Sequence, residues 1–158
     1  MGAETLEVRA ATPADAGEIL TLQLACWVDE ALANDSLAIP ALHEGLADVQ
    51  AWLGEWTTVV VRSGGRLVAG ARCRLDGEVW HVGRLMVAPD LRGRGLGRWL
   101  LAYVERSAPP AARRLSLFTG RGSESNLRMY RRAGYRPDPT QPEDDLAVHL
   151  SRPVHRRG

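Results

Sequence analysis

Two kinds of residue in the second half of this chain could do chemistry. Arg92-Gly93-Arg94-Gly95-Leu96-Gly97-Arg98 sets three glycines and three arginines within seven positions. His81 and Tyr130 carry side chains able to take up or release a proton. The glycine run follows the apolar Leu85-Met86-Val87 and a Pro89-Asp90 turn signal. It precedes Leu96, Leu100, Tyr103 and Val104 at helical spacing, so it opens a helix. A helix start leaves several backbone N–H groups without intrahelical partners, and glycine lets a ligand approach them closely. The helix dipole and the guanidinium groups add positive potential. The segment therefore reads as an anion site, suited to a pyrophosphate.

Composition removes several competing chemistries. The chain contains no lysine, so a Walker phosphate loop and any Schiff-base lysine are excluded. Gly93-Arg94-Gly95-Leu96-Gly97 is GxGxG rather than the dinucleotide pattern GxGxxG, and no acidic residue stands where a ribose would need one. The net charge of +1 argues against general nucleic-acid binding. Cys26 and Cys73 have no metal-ligand spacing, so no metal is expected and both should be reduced thiols. No apolar run reaches membrane-spanning length and no signal-like segment opens the chain, which gives the expectation of a cytoplasmic protein with no membrane contact.

Arg92-x-x-Gly95-x-Gly97 after a strand ending Leu85-x-Val87 resembles the GNAT superfamily of N-acetyltransferases. The resemblance implies that Arg92, Gly93, Arg94, Gly95, Leu96, Gly97 and Arg98 hold the pyrophosphate of acetyl-coenzyme A. It also implies that Leu85, Met86 and Val87 offer a strand edge to the pantetheine amides, where two parallel strands splay. Gly83 is a suitable place for the accompanying bulge, and an N–H of Met86 or Val87 could meet the developing oxyanion. His81, four residues before Leu85, stands where family members carry a catalytic Glu or His. It could equally be a histidine bonded to a backbone carbonyl, and Glu78 and Glu124 are further candidates for the base. Ser123-x-x-Asn126-x-x-x-Tyr130, followed by Ala133-Gly134-Tyr135, resembles the signature whose Tyr protonates the departing thiolate. Many members place Asn seven residues before that Tyr, where this chain has Ser123; Asn126, one turn before it, is the candidate cofactor contact. The expected activity is acetyl transfer from acetyl-coenzyme A to a primary amine of a small molecule, peptide or protein. The alternative is a non-catalytic acyl-coenzyme A sensor of the same fold.

The elements that must position these residues follow from pattern. Residues 1–158 read as one α/β (α+β) domain of GNAT type, with a mixed sheet of six to seven strands, mostly antiparallel, and about four helices. Either a monomer or a homodimer would suit it. Leu6–Ala10 alternates as a strand, and Thr12-Pro13 starts a helix with Ile19, Leu22, Ala25 and Cys26 on one face. Residues 27–55 are the least readable: a helix over 41–52 is expected, with Leu42, Leu46, Val49 and Leu53 inward. In the family this segment walls the acceptor site, which makes Trp27, Asp29, Glu30 and Glu44 candidate acceptor contacts. Strands at 57–62, 66–75 and 79–87 form a meander, helix 96–107 leads to a parallel strand at 115–119, and helix 123–132 crosses back. A loop over 137–145, a strand at 146–150 and a frayed basic tail from Arg152 complete the chain.

Overall fold

Thr57–Ser63 and Arg66–Asp76 are rich in β-branched and small apolar residues and are separated by a two-glycine turn, so they fold back on one another. They form β2 and β3 of a seven-stranded sheet in the computed structural model, which describes residues 5–155. The other strands are β1 (Leu6–Ala10), β4 (Val79–Val87), β5 (Arg114–Gly120), β6 (Arg136–Pro137) and β7 (Ala147–Pro153). Their order is β1-β2-β3-β4-β5-β7-β6, antiparallel throughout except between β4 and β5. The helices are α1 (Ala16–Asn34), α2 (Pro40–His43), α3 (Leu46–Leu53), α4 (Leu96–Arg106) and α5 (Glu124–Arg132). Among the described residues no helix is long and apolar enough to cross a membrane.

The central strands are covered on both faces. Val60, Val61, Val68, Ala69 and Ala71 are buried, packed with Ile19, Leu22 and Cys26 of α1 and with Leu100, Leu101 and Val104 of α4. Trp80 Nε1 donates to the Val104 carbonyl at 3.0 Å, which fixes α4 over the start of β4. The far end of α4 is tied down by Glu105, which accepts from Tyr135 Oη at 2.8 Å and pairs with Arg152 at 2.9 Å.

The start of α1 differs in mechanism from a Thr side-chain cap. The Asp15 carboxylate is the acceptor, taking the Thr12 N–H at 2.7 Å, and it is almost fully buried. Arg9 forks onto it at 2.7 and 2.8 Å, and Arg62 reaches it at 2.9 Å. One carboxylate thus joins β1, β2 and the start of α1. The Arg9 guanidinium, against the opposing effect of burial, holds Asp15 well below the usual carboxylate range, and Thr12 and Arg62 add to this.

Four expectations are corrected. Ala25 is exposed, and Gln23 takes its place on the buried face of α1. The single helix expected over 41–52 is two, because Gly45 is extended and its N–H bonds Asp48 Oδ2 at 2.7 Å to start a new helix. Leu46 is consequently exposed, while Val49 and Trp52 point inward. Pro137, expected to open a loop, pairs with β7 together with Arg136, and β7 runs on through Arg152 and Pro153, where a frayed tail was expected. The tail's last residues, 156–158, lie outside the described residues.

Asp15→Asn should lower stability by on the order of 2 kcal/mol, a fall in Tm of about 5 °C by calorimetry. Because the folded-state pKa lies below the unfolded one, this contribution is complete above the usual carboxylate pKa of ~3.9 and fades as pH falls below it. The wild-type advantage should therefore shrink in melts taken at progressively lower pH. A variant as stable as wild type at neutral pH would remove Asp15 as the joint.

Candidate functional site

β4 is fully paired at its start and opens at its end. Its parallel pairing with β5 covers only Val79↔Arg114, Trp80↔Leu115 and His81↔Ser116, whereas β5 stays paired with β7 as far as Gly120. On the β3 side, Arg72 faces Gly83 and Gly70 faces Met86, so Ala71 alone opposes Arg84 and Leu85. This is a β-bulge, which bends the bulged strand and raises its twist. The bulge was expected at Gly83, yet Gly83 keeps register with Arg72 and it is Arg84 that takes φ 48°. A non-glycine residue there is strained. Arg84 is held in place by its ion pair with Glu44 at 2.9 Å and lies 5.7 Å from the Trp27 ring. A Cβ at Gly83 would lie in ordinary contact, 3.6 Å from Arg72 Nε and 3.9 Å from the Trp56 ring, so Gly83 sits directly beneath the Arg72 side chain.

Ala88 N–H bonds the Val68 carbonyl at 2.8 Å. Peptide groups alternate in direction along an antiparallel ladder, so Met86 also faces β3 while the Leu85 carbonyl and both polar groups of Val87 face the opening. Met86 buries its side chain against Gly70. Val87 O accepts from Cys26 Sγ at 3.1 Å, which latches α1 to the end of β4. Burial pushes the Cys26 thiol up, opposed in part by Arg92.

The glycine loop lies beyond the open end of β4. Gly93 and Gly95 have φ of 76° and 80°, the left-handed region that favours glycine. The first helical bond of α4 runs from Trp99 N–H to the Gly95 carbonyl at 3.0 Å, and the N–H groups of Leu96, Gly97 and Arg98 have no acceptor among the described residues. Arg94 and Arg98 are exposed. Arg92 is paired instead with Asp29 of α1 and lies 3.5 Å from the Cys26 carbonyl.

His81 sits at the last paired position before the opening, in register with Arg74 and Ser116. It is half-buried and its ring makes no hydrogen bond within the described residues, so the backbone-bonded alternative does not hold. Burial lowers its pKa, with Asp76 opposing and Arg74 adding to the effect. Glu78 is exposed and paired with Arg113 at 3.3 Å, and Glu124 is exposed on α5.

Tyr130 lies on α5 with its ring edge-on to Tyr135 at 6.0 Å. Burial first, then the charge of Glu30, raise its pKa and keep the phenol protonated. Asn126, one turn earlier, is turned towards α1: its amide donates to Glu30 Oε1 at 3.1 Å and to Thr119 Oγ1 at 3.3 Å. Ser123 also donates to Glu30 and accepts from Asn34 at 3.0 Å. Of the four candidate acceptor contacts, then, Asp29 and Glu30 join α1 to the loop and to α5, while Glu44 and Trp27 hold the bulge. Sequence reasoning missed Arg72, Trp52 and Trp56. The Arg72 guanidinium lies 4.8 Å from the Trp52 ring and 4.2 Å from the Trp56 ring. Only the in/out alternation of Arg72 and Arg74 along β3 could have hinted at it.

A mixed sheet opened at its single parallel pair beside a glycine-rich helix start is a fold found in known proteins. It is shared with an acetyltransferase from Thermus thermophilus (TM-score 0.76, 21% identity, 98% of this chain and 100% of that one). The yncA protein of Salmonella typhimurium, solved with its cofactor acetyl-CoA, matches with a TM-score of 0.73 and 16% identity over 98% of this chain and 96% of that one. The paia N-acetyltransferase of Thermoplasma acidophilum, in complex with coenzyme A, does so at 0.73 and 12% over 94% and 99%. No curated protein matches the sequence significantly. The family model for the acetyltransferase (GNAT) family matches residues 21–135, and the chain belongs to that family.

An NMR titration of the imidazole resonances should place the His81 inflection below the ordinary ~6.5. An inflection at or above that value would mean that a carboxylate outweighs burial at this position.

Proposed function

We propose that the protein transfers the acetyl group of acetyl-coenzyme A to a primary amine. The observation that carries this reading is the early end of β4–β5 pairing, which leaves the Leu85 and Val87 peptide groups facing an opening that leads to the glycine loop. The residues present fit such a cosubstrate. Unpartnered N–H groups at Leu96, Gly97 and Arg98, with Arg94 and Arg98 exposed beside them, suit a pyrophosphate. A free strand edge suits the amides of a pantetheine arm. Arg92 would join them by exchanging Asp29 for phosphate, and Gly93, Gly95 and Gly97 keep the approach open.

Acetyl-coenzyme A supplies an acetyl group activated as a thioester. The chain's own residues then divide the work. His81, neutral at physiological pH, takes a proton from the attacking amine, directly or through water. Val87 N–H, turned towards the opening, donates to the acyl oxygen as negative charge builds there. Tyr130, kept protonated by burial, gives its proton to the departing sulfur. Asn126 supports this wall by fixing Glu30, so its contribution to cofactor binding is through position.

Two outcomes check the reading. Gly95→Asp puts a carboxylate where a phosphate should sit and strains a left-handed residue, so calorimetric titration should show coenzyme A affinity lost; unchanged affinity would sink the loop assignment. His81→Ala should lose roughly 10²–10⁴ of kcat/KM in a thiol-release assay, and Tyr130→Phe about 10- to 100-fold of kcat with cofactor affinity kept. The wild-type kcat/KM should rise with pH through the His81 inflection, since the deprotonated ring is the active form. Tight coenzyme A binding with no thiol release towards any amine would instead favour a sensor.

A further inference from the structure

Four buried side-chain polar atoms have no hydrogen-bond partner among the described residues: Gln23 Oε1, Trp52 Nε1, Thr58 Oγ1 and Arg72 Nε. Buried polar atoms are nearly always paired, so a group of unpaired ones marks a place where something else is accommodated. Thr58, Arg72 and Trp52 adjoin one another, and Gln23 reaches them only through Glu44 and Arg84. Thr58 and Arg72 are cross-strand partners on one face of the sheet. The Arg72 guanidinium packs against the Trp52 and Trp56 rings. Gln23 connects through Glu44 to Arg84.

Arg72 is also a cation without a counter-ion. Among the described residues no carboxylate lies within ion-pair distance of it, because Glu44 is committed to Arg84 at 2.9 Å and to Gln23 at 2.8 Å. Burial, and then the charge of Arg84, push the Arg72 pKa down to about 10, so it is still charged at neutral pH. Facing aromatic rings offset part of the cost of burying a charge. The two arginines and Glu44 together leave one positive charge in the recess, and Arg74 above Trp56 is exposed and screened by solvent.

Arg72 and the two rings lie beside the reaction centre proposed above, and the space over them is the recess meant here. Arg72 is in register with Gly83, on the face that also carries the Arg74–His81 pair. His81 and Gly83 are two positions apart, about 7 Å along the strand. A small molecule can span that distance with an amine at one end and an anion at the other. Arg72 is partly exposed and a guanidinium only donates, which suits an acceptor-only group. A guanidinium fork matches a planar carboxylate, and a single excess positive charge matches a single negative one. A polyamine would be repelled.

We infer that this recess takes the carboxylate of the acceptor, so that the acceptor is a small amine of α-amino-acid type, held by Arg72 with its amine towards His81. The inference rests on the acetyl-transfer reading of the same opening. It is a statement about the acceptor, separable from cofactor binding.

The test pairs amino acids with their decarboxylated counterparts: L-phenylalanine with 2-phenylethylamine, and L-methionine with 3-(methylthio)propylamine. Thiol release from acetyl-coenzyme A gives kcat/KM, and quenching of tryptophan emission gives binding without turnover. Each amino acid should exceed its partner amine by at least roughly tenfold in kcat/KM or affinity, the scale of one charge-assisted hydrogen-bonded pair. Arg72→Gln should raise KM for the amino acid and collapse that ratio while leaving coenzyme A affinity in place, and Arg72→Lys should restore only part of it. Equal or better use of the decarboxylated amines, or no binding of either amino acid at millimolar concentration, overturns the inference. Amino-acid binding at the tryptophans without thiol release upholds the recess and counts against the transfer reaction instead.

Discussion

The site depends on one constraint: β4 must pair fully with β5 at its start and abandon it three residues later. The bulge at Arg84–Leu85 enforces this by adding one residue to β4 against β3, which turns the strand's end away from β5. The first residue of this bulge lies in the left-handed region that favours glycine, and here that residue is an arginine. Its strain is held by a chain of contacts from Arg84 to Glu44 to Gln23, which runs from the sheet through the α2–α3 connection to α1. The stability of the opening is thus borrowed from the helical layer above it. The same layer supplies Trp27, Trp52 and Trp56, so the element that keeps the sheet open also lines one side of the resulting recess.

The opposite wall is fixed by α1 alone. Its Asp29 meets Arg92 of the loop, its Cys26 meets Val87 O, and its Glu30 and Asn34 meet Ser123 and Asn126 of α5. A single helix therefore touches the loop, the strand edge and the helix that bears Tyr130. Displacing Asp29 from Arg92 would free a guanidinium for an anion at the loop, which couples the arrival of negative charge there to the seating of α1. Among the described residues no hydrogen bond or ion pair joins His81 to α1, and its backbone is paired to the two neighbouring strands.

Features that depend on local pattern were legible in the sequence. The loop from Arg92 to Arg98, the meander of β2, β3 and β4, and the two crossover helices all follow from residue type and spacing. What was not legible depends on contacts between distant segments. Gly83 is the obvious bulge residue in sequence, yet Arg84 takes the strained position because a carboxylate forty residues earlier stabilises it. Asn126 is a plausible cofactor contact by its spacing from Tyr130, yet Glu30 claims it from another helix. The break between α2 and α3 is hidden because its apolar residues keep helical spacing across Gly45. Arg72 left only the in/out alternation of β3 as a signal, since its rings come from α3 and the turn after it.

The exclusive use of arginine bears on this arrangement. A guanidinium is planar, so it can lie against a ring while its edge donates hydrogen bonds, and it stays charged when buried. Arg62 bridges Asp15 and Glu18 through a fork, Arg84 combines a carboxylate with a ring, and Arg152 does the same with Glu105 and Tyr135. In each of these a carboxylate completes the set. Arg72 has the rings and no carboxylate, in a chain whose other half-buried arginines have found one. A lysine at that position would be expected to lose its proton more readily under the same burial, because its pKa starts lower. The residue at position 72 is therefore the kind of cation that can wait in a covered site, charged and oriented, for a negative group that the chain itself does not provide.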